Sequence, residues 1–185
     1  MTISKLKLKY SSLFLIPFIL MLGVFLCLGL TPFSKSSIHS GDFLSQYFPL
    51  YIGLHKMFWN GDFSGLFWSF EKSLGGAMPS VWGFNSLSPF TFLYVLFPIS
   101  SFHVISYIIP LIRFGVMGVV FGDCIEKKYQ AVSKRYWLAV GLCTSYALSG
   151  FIISQHYNPN FLDNLVYVPF IFLGIEDIFH GKKSI

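Results

Sequence analysis

Two acidic residues and one arginine stand where charge is costly, and any chemistry this chain performs begins with them. Asp42 follows Gly41 soon after a long apolar run. A carboxylate there suits either of two roles. It can cap a helix, accepting the free backbone N–H groups of the first turn, or serve as a general base on an acceptor hydroxyl. The two are compatible, because an Asp fixed at a helix terminus is also pre-positioned. Asp163 lies in the polar run Gln155-His156-Tyr157-Asn158-Pro159-Asn160-Phe161-Leu162-Asp163-Asn164, wedged between two apolar segments. That run reads either as a capped, solvated loop with Asp163 starting the next helix, or as part of a site. Its density of His, Asn and Asp exceeds what a minimal turn needs. Carboxylates from separate loops can divide acid and base roles or hold a divalent cation, and beyond that cation the sequence points to no cofactor.

Arg113 is placed about midway along another apolar run. An arginine at that depth costs about 3 kcal/mol even on lenient insertion scales, so a partner or a water-filled cavity is expected. It pairs either with a helix carboxylate or backbone carbonyls, or with a lipid phosphate, for which the guanidinium fork is well suited. Asp42 and Asp163 are therefore the candidate catalytic residues. Gln46, Arg113, His156 and Asn158 are the candidate substrate-binding residues, although a single histidine such as His156 is more often a hydrogen-bonded loop residue. Cys27, Cys124 and Cys143 lie in or beside apolar segments without paired spacing, which argues against a disulfide framework or a metal site. Gly75-Gly76 lacks the Gly-Lys-Ser/Thr continuation of a phosphate loop.

The elements that must position these residues are set by a bilayer. The chain of 185 residues is 54% hydrophobic, 19% aromatic and 11% charged, with a mean hydropathy of +0.64, outside the range of soluble domains. Its formal charge of +5 would elsewhere suggest nucleic acid. Here the basic residues cluster instead at Lys5, Lys7 and Lys9, at Lys127, Lys128, Lys134 and Arg135, and at Lys182 and Lys183. Such clusters mark cytoplasmic flanks and favour an anionic inner leaflet, so membrane lipids replace nucleic acid as the expected partner. The pattern predicts an all-α integral membrane protein, one domain over residues 1–185, with spans near 13–30, 102–122, 136–153 and 165–179. Both termini are then cytoplasmic in a multi-pass plasma-membrane protein. The first span reads as an uncleaved anchor, since it is longer than a signal-peptide core and no small-residue cleavage site follows.

Residues 31–101 then form a long outer loop. Phe43, Tyr47, Leu50, Leu54 and Met57 recur at helical spacing, with Gln46, Gly53 and Lys56 on the other side, which predicts an interfacial amphipathic helix. Pro49 implies a kink or a late start, and Asn60-Gly61 a stop. Tyr51, Trp59, Trp68 and Trp82 suit headgroup depth. Gly75-Gly76, Pro79 and Gly83 mark a tight, irregular stretch. Residues 89–98 are apolar but too short for a span, which needs about 20 residues, so they read as re-entrant or interfacial.

The run Ser40-Gly41-Asp42-Phe43-Leu44-Ser45-Gln46-Tyr47-Phe48-Pro49-Leu50-Tyr51 resembles the opening of YfhO-like bacterial membrane proteins. Leu74-Gly75-Gly76, Leu87-Ser88-Pro89-Phe90, Tyr146-Ala147-Leu148-Ser149-Gly150-Phe151 and Phe161-Leu162-Asp163-Asn164-Leu165 continue the resemblance in order. It implies a GT-C-type glycosyltransferase that takes a sugar from a polyprenyl-phosphate carrier outside the cytoplasmic membrane. The implied acceptor is a cell-wall glycopolymer such as teichoic acid. In that superfamily a carboxylate in the first outer loop is catalytic, the position Asp42 occupies, and Asp163 would be the second acidic residue. Family members are several times longer, so the chain is expected to be their N-terminal portion, which need not be active alone. The alternative is a non-enzymatic membrane protein, a translocation subunit or assembly partner, which an arginine at mid-membrane would favour.

Overall fold

The computed structural model describes residues 3–34, 41–70, 74–85, 88–129, 132 and 134–181. Lys182 and Lys183 of the charge pattern, and Ser40 and Leu87 of the family motifs, lie outside the described residues. Helix dominates: α1 (Ile3–Cys27), α2 (Phe48–Asn60), α3 (Pro79–Asn85), α4 (Phe92–Leu96), α5 (Phe102–Lys128), α6 (Tyr136–Ala147), α7 (Gly150–Ser154) and α8 (Pro159–Phe179). The sheet among the described residues is one antiparallel pair, β1 (Trp68–Ser69) and β2 (Gly76–Ala77), with Trp68 opposite Ala77 and Ser69 opposite Gly76. The chain divides into two compact units, one comprising Met1–Leu30, Pro110–His156 and Phe161–Ile185, the other Thr31–Ile109 with Tyr157–Asn160.

In the first unit α1 and α5 approach so closely that glycine is required. A Cβ at Gly118 would sit 2.3 Å from the Leu13 carbonyl oxygen, one at Gly122 2.4 Å from Leu13 Cδ1, and one at Gly115 2.6 Å from the Phe14 ring. Lipid tails are as apolar as leucine, so helices in a membrane associate through close packing of small residues, as this face does. Leu13, Ile125, Val140 and Cys143 form the core beside it. Phe121 stacks on Tyr146 with centroids 4.4 Å apart, and the Tyr146 hydroxyl donates to the Leu165 carbonyl at 2.6 Å. Near the basic end of α5, the Tyr10 hydroxyl donates to Glu126 Oε2 at 3.1 Å, and Lys128 forms an ion pair with Glu176.

Among the described residues three helical stretches are long and apolar enough to cross a membrane: Tyr10–Cys27, Ile99–Lys128 and Tyr136–Ser154. The third breaks between α6 and α7, where Ser149 is extended at φ −62° and ψ 151°. The expected fourth span, 165–179, falls within the 21 residues of α8 but is not among the three. Its uninterrupted apolar core runs only from 165 to 175, ended by Glu176 and Asp177 and preceded by Asp163 and Asn164.

In the second unit, residues Phe43–Tyr47 form a π-helical turn that leads into α2. Phe48 N–H bonds to the Phe43 carbonyl, one residue further than in an α-helix. The extra residue rotates the start of α2 and widens its buried face. Tyr51 and His55 are buried beside Leu54 and Met57, Leu50 is only half-buried, and Gly53 is buried although the spacing places it on the polar side. Pro49 occupies the first turn of α2, where its missing N–H costs nothing. Gly61 ends the helix with φ 66°, a left-handed conformation that glycine adopts without strain. Leu54, Met57, Met78 and Trp82 form the local core. The irregular stretch around Gly75-Gly76 resolves into the β1–β2 pair, and residues 89–98 form only the five-residue α4 and its flanking turns.

Candidate functional site

Arg113 and Asp163, fifty positions apart in the sequence, face one another inside the first unit. Arg113 Nε donates to Asp163 Oδ1 at 2.6 Å, and a terminal nitrogen donates to Oδ2 at 3.2 Å. Their side chains are 3% and 10% exposed. This fork-on-fork geometry is the strong form of a charge-assisted contact. It answers the demand that a mid-helix arginine makes for a partner, and the partner is a carboxylate of the same unit. Asp163 therefore does not begin a helix from a solvated loop. α8 starts four residues earlier at Pro159, a residue pre-organised for a first helical turn, and carries Asp163 inward as a buried group.

Asp42 is built differently. It precedes the π-helical turn with helical φ −62° and ψ −25°, its side chain makes no capping hydrogen bond, and it is exposed. Capping requires a non-helical Ncap residue whose oxygen can reach back to the first turn, so the cap reading fails on backbone geometry. Gln46 is exposed on the same turn. π-helical turns recur at functional sites because they displace side chains from the ordinary helical register. Asp42 and Gln46 lie in the second unit; Asp163 and Arg113 lie in the first.

His156 belongs to the first unit, half-buried, with Nδ1 2.9 Å from the Ile153 carbonyl. Because a carbonyl only accepts, Nδ1 carries the hydrogen there, and the ring packs against Phe25 at 6.1 Å. Asn158 belongs to the second unit and is buried. Among the described residues no group of three or more His, Cys, Asp and Glu side chains gathers as a metal site, and the cysteines are free thiols.

One titratable residue was not singled out by its sequence setting. His55 is 5% exposed, with Nδ1 3.1 Å from the Tyr94 carbonyl. It stacks on Trp59 at 5.1 Å and meets Phe102 edge-on at 5.3 Å. Tyr94 in turn stacks on Tyr51 at 4.5 Å and donates its hydroxyl to Ser106 Oγ at 3.0 Å. This cluster ties α2, α4 and the start of α5 together. The signal was present in the four-residue spacing of Tyr47, Tyr51 and His55, but an unbroken α-helical period selects Leu50 instead.

Long apolar helices packed on glycine, with an arginine–carboxylate pair buried among them, define an integral membrane protein of the helical class. The family described as "Bacterial membrane protein YfhO" matches residues 12–185, and the chain belongs to it. No curated protein and no solved structure matches the chain.

Proposed function

We infer that this membrane protein transfers a sugar from a polyprenyl-phosphate carrier to a cell-envelope glycopolymer such as teichoic acid, on the outer face of the membrane, in the manner of GT-C-type glycosyltransferases. The observation that carries this reading is the state of Asp42: exposed, immediately before a π-helical turn, and not engaged in capping. A general base must be within reach of the hydroxyl it deprotonates and must not be saturated by its own backbone. Asp42 takes the proton from the acceptor hydroxyl as that oxygen attacks the anomeric carbon. The bond from this carbon to the carrier phosphate oxygen breaks, and polyprenyl phosphate leaves with the electron pair. Gln46 on the turn that follows, with Asn158 of the same unit, contributes hydrogen bonds to donor or acceptor. Asp163 enters as the partner of Arg113, positioning its helix rather than offering a free carboxylate.

The topology belongs to the same proposal: α1 exits the cytoplasm, residues 31–101 lie outside, and the exposed Lys127, Lys134 and Arg135 lie inside. A translocation role would draw support from an arginine lining a solvent path, and Arg113 is instead committed to Asp163. The test is Asp42→Asn in the full chain, assayed for glycan transfer in membranes with expression and insertion measured alongside. General-base removal lowers the rate by about 100-fold or more. Wild-type transfer by that variant would refute the assignment.

A further inference from the structure

The second unit contains a cleft that the glycosyl-transfer reading leaves unused. It has a volume of about 320 Å³ and lies where the end of α2 meets the β1–β2 hairpin, with Lys56, Asn60, Asp62, Ser64, Ser69 and Phe70 on its walls. The volume falls at the small end of ligand pockets, the size of a polar headgroup or one sugar unit. Its chemistry is mixed in a defined way. Lys56 is exposed, and among the described residues no ion pair joins it to Asp62. Asp62 accepts the Ser64 backbone N–H at 3.0 Å. Hydrogen bonds from Ser64, hydroxyl first and then N–H, hold the Asp62 carboxyl below its ordinary range, so it stays ionised. One exposed cation beside one fixed carboxylate, with an amide and two hydroxyls, matches a ligand bearing one anionic group and several hydroxyls. A second anionic group would be repelled by Asp62.

The rim says where such a ligand comes from. Trp59, Phe67, Trp68 and Phe70, at or adjacent to the walls, are 62%, 76%, 55% and 77% exposed, and Leu74 is 95% exposed. In a membrane protein, exposed tryptophan and phenylalanine around a polar opening place that opening at headgroup depth. We propose that this cleft binds the headgroup of an anionic polyol phospholipid, of the phosphatidylglycerol type, with Lys56 on the phosphate and Asp62 and Asn60 on the glycerol hydroxyls. The cleft is separate from the Asp42 region. The helical path from Asp42 to Lys56 spans about 20 Å at about 1.5 Å per residue. The assignment therefore stands or falls independently of glycosyl transfer.

The test uses the full chain purified in detergent and native mass spectrometry of bound lipid. Phosphatidylglycerol, phosphatidylserine or phosphatidylcholine is added in equal amounts. Phosphatidylglycerol is expected to be retained about tenfold over phosphatidylcholine, whose choline offers no hydroxyl to Asp62, the worth of one hydrogen bond to a charged group, and also over phosphatidylserine, whose extra carboxylate faces Asp62. Asp62→Asn should abolish that preference and Lys56→Gln should lower retention of all three lipids, while Lys134→Gln should change neither. Equal retention of phosphatidylserine would overturn polyol recognition. An unchanged preference in Asp62→Asn, or unchanged retention in Lys56→Gln, would overturn the site. Displacement of the lipid by millimolar sn-glycerol 3-phosphate would assign the cleft to a soluble phosphate and overturn the lipid assignment. Should one cleft variant fail to fold, the other decides.

Discussion

Replacing Asp163 with leucine leaves the Arg113 guanidinium, 3% exposed, without the carboxylate that Nε and a terminal nitrogen address at 2.6 and 3.2 Å. Breaking a buried pair from one side costs about 3–5 kcal/mol, because the surviving charge keeps its desolvation penalty and loses its attraction. Arg113→Leu strands the carboxylate instead and should cost a similar amount. The double variant removes both charges. Substitution of a buried ion pair by apolar residues of similar volume is often neutral, so its cost should fall well below the sum of the singles. The expected coupling is about 3 kcal/mol, the upper end for side chains in contact. Unfolding by sodium dodecyl sulfate in mixed micelles, followed by circular dichroism, measures all four corners of the cycle. If the single costs add within about 0.5 kcal/mol, the two groups do not interact and the pairing is wrong. Glycan transfer by the same set separates structure from chemistry. A double variant that regains stability and transfer leaves Asp163 a positioning residue; one that regains stability without transfer makes it a participant.

Close helix packing gives a second expectation. Gly118→Ala should destabilise by about 1–3 kcal/mol, because the clashing atom is the backbone oxygen of Leu13 at 2.3 Å and cannot rotate away. Gly141→Ala, in α6 with nothing within 4 Å, should be neutral or stabilising by up to about 1 kcal/mol in the same unfolding assay. Topology gives a third. In intact cells a membrane-impermeant maleimide should label Ser64→Cys and spare Lys134→Cys, both exposed positions, and the opposite pattern would invert the orientation.

Residues that act through their immediate neighbours are legible in the sequence alone. Pro49 marks the first turn of α2 and Gly61 its end, because a missing N–H and a left-handed φ are local properties. The shortness of the helix within 89–98 and the apolar lengths of α1 and α5 follow from counting against bilayer thickness. At 165–179 carboxylates at 163, 176 and 177 confine the uninterrupted apolar run to the middle of the segment. The phase of the helix after Asp42 escapes the spacing rule. A π-helical turn of five residues carries no compositional mark, yet it exchanges Leu50 for Tyr51 on the buried face.

The sequence by itself established that the chain belongs in a membrane and that Asp42, Arg113 and Asp163 sit where charge needs a reason, since hydrophobicity and charge are additive along the chain. What satisfies those charges was decided by tertiary structure. Arg113 finds Asp163 because α5 and α8 present the two at one depth and rotation, and Asp42 remains uncapped because its backbone is already helical. Partner choice depends on the approach and phase of helices fifty residues apart, and a contact worth several kcal/mol leaves no trace in the spacing of either helix.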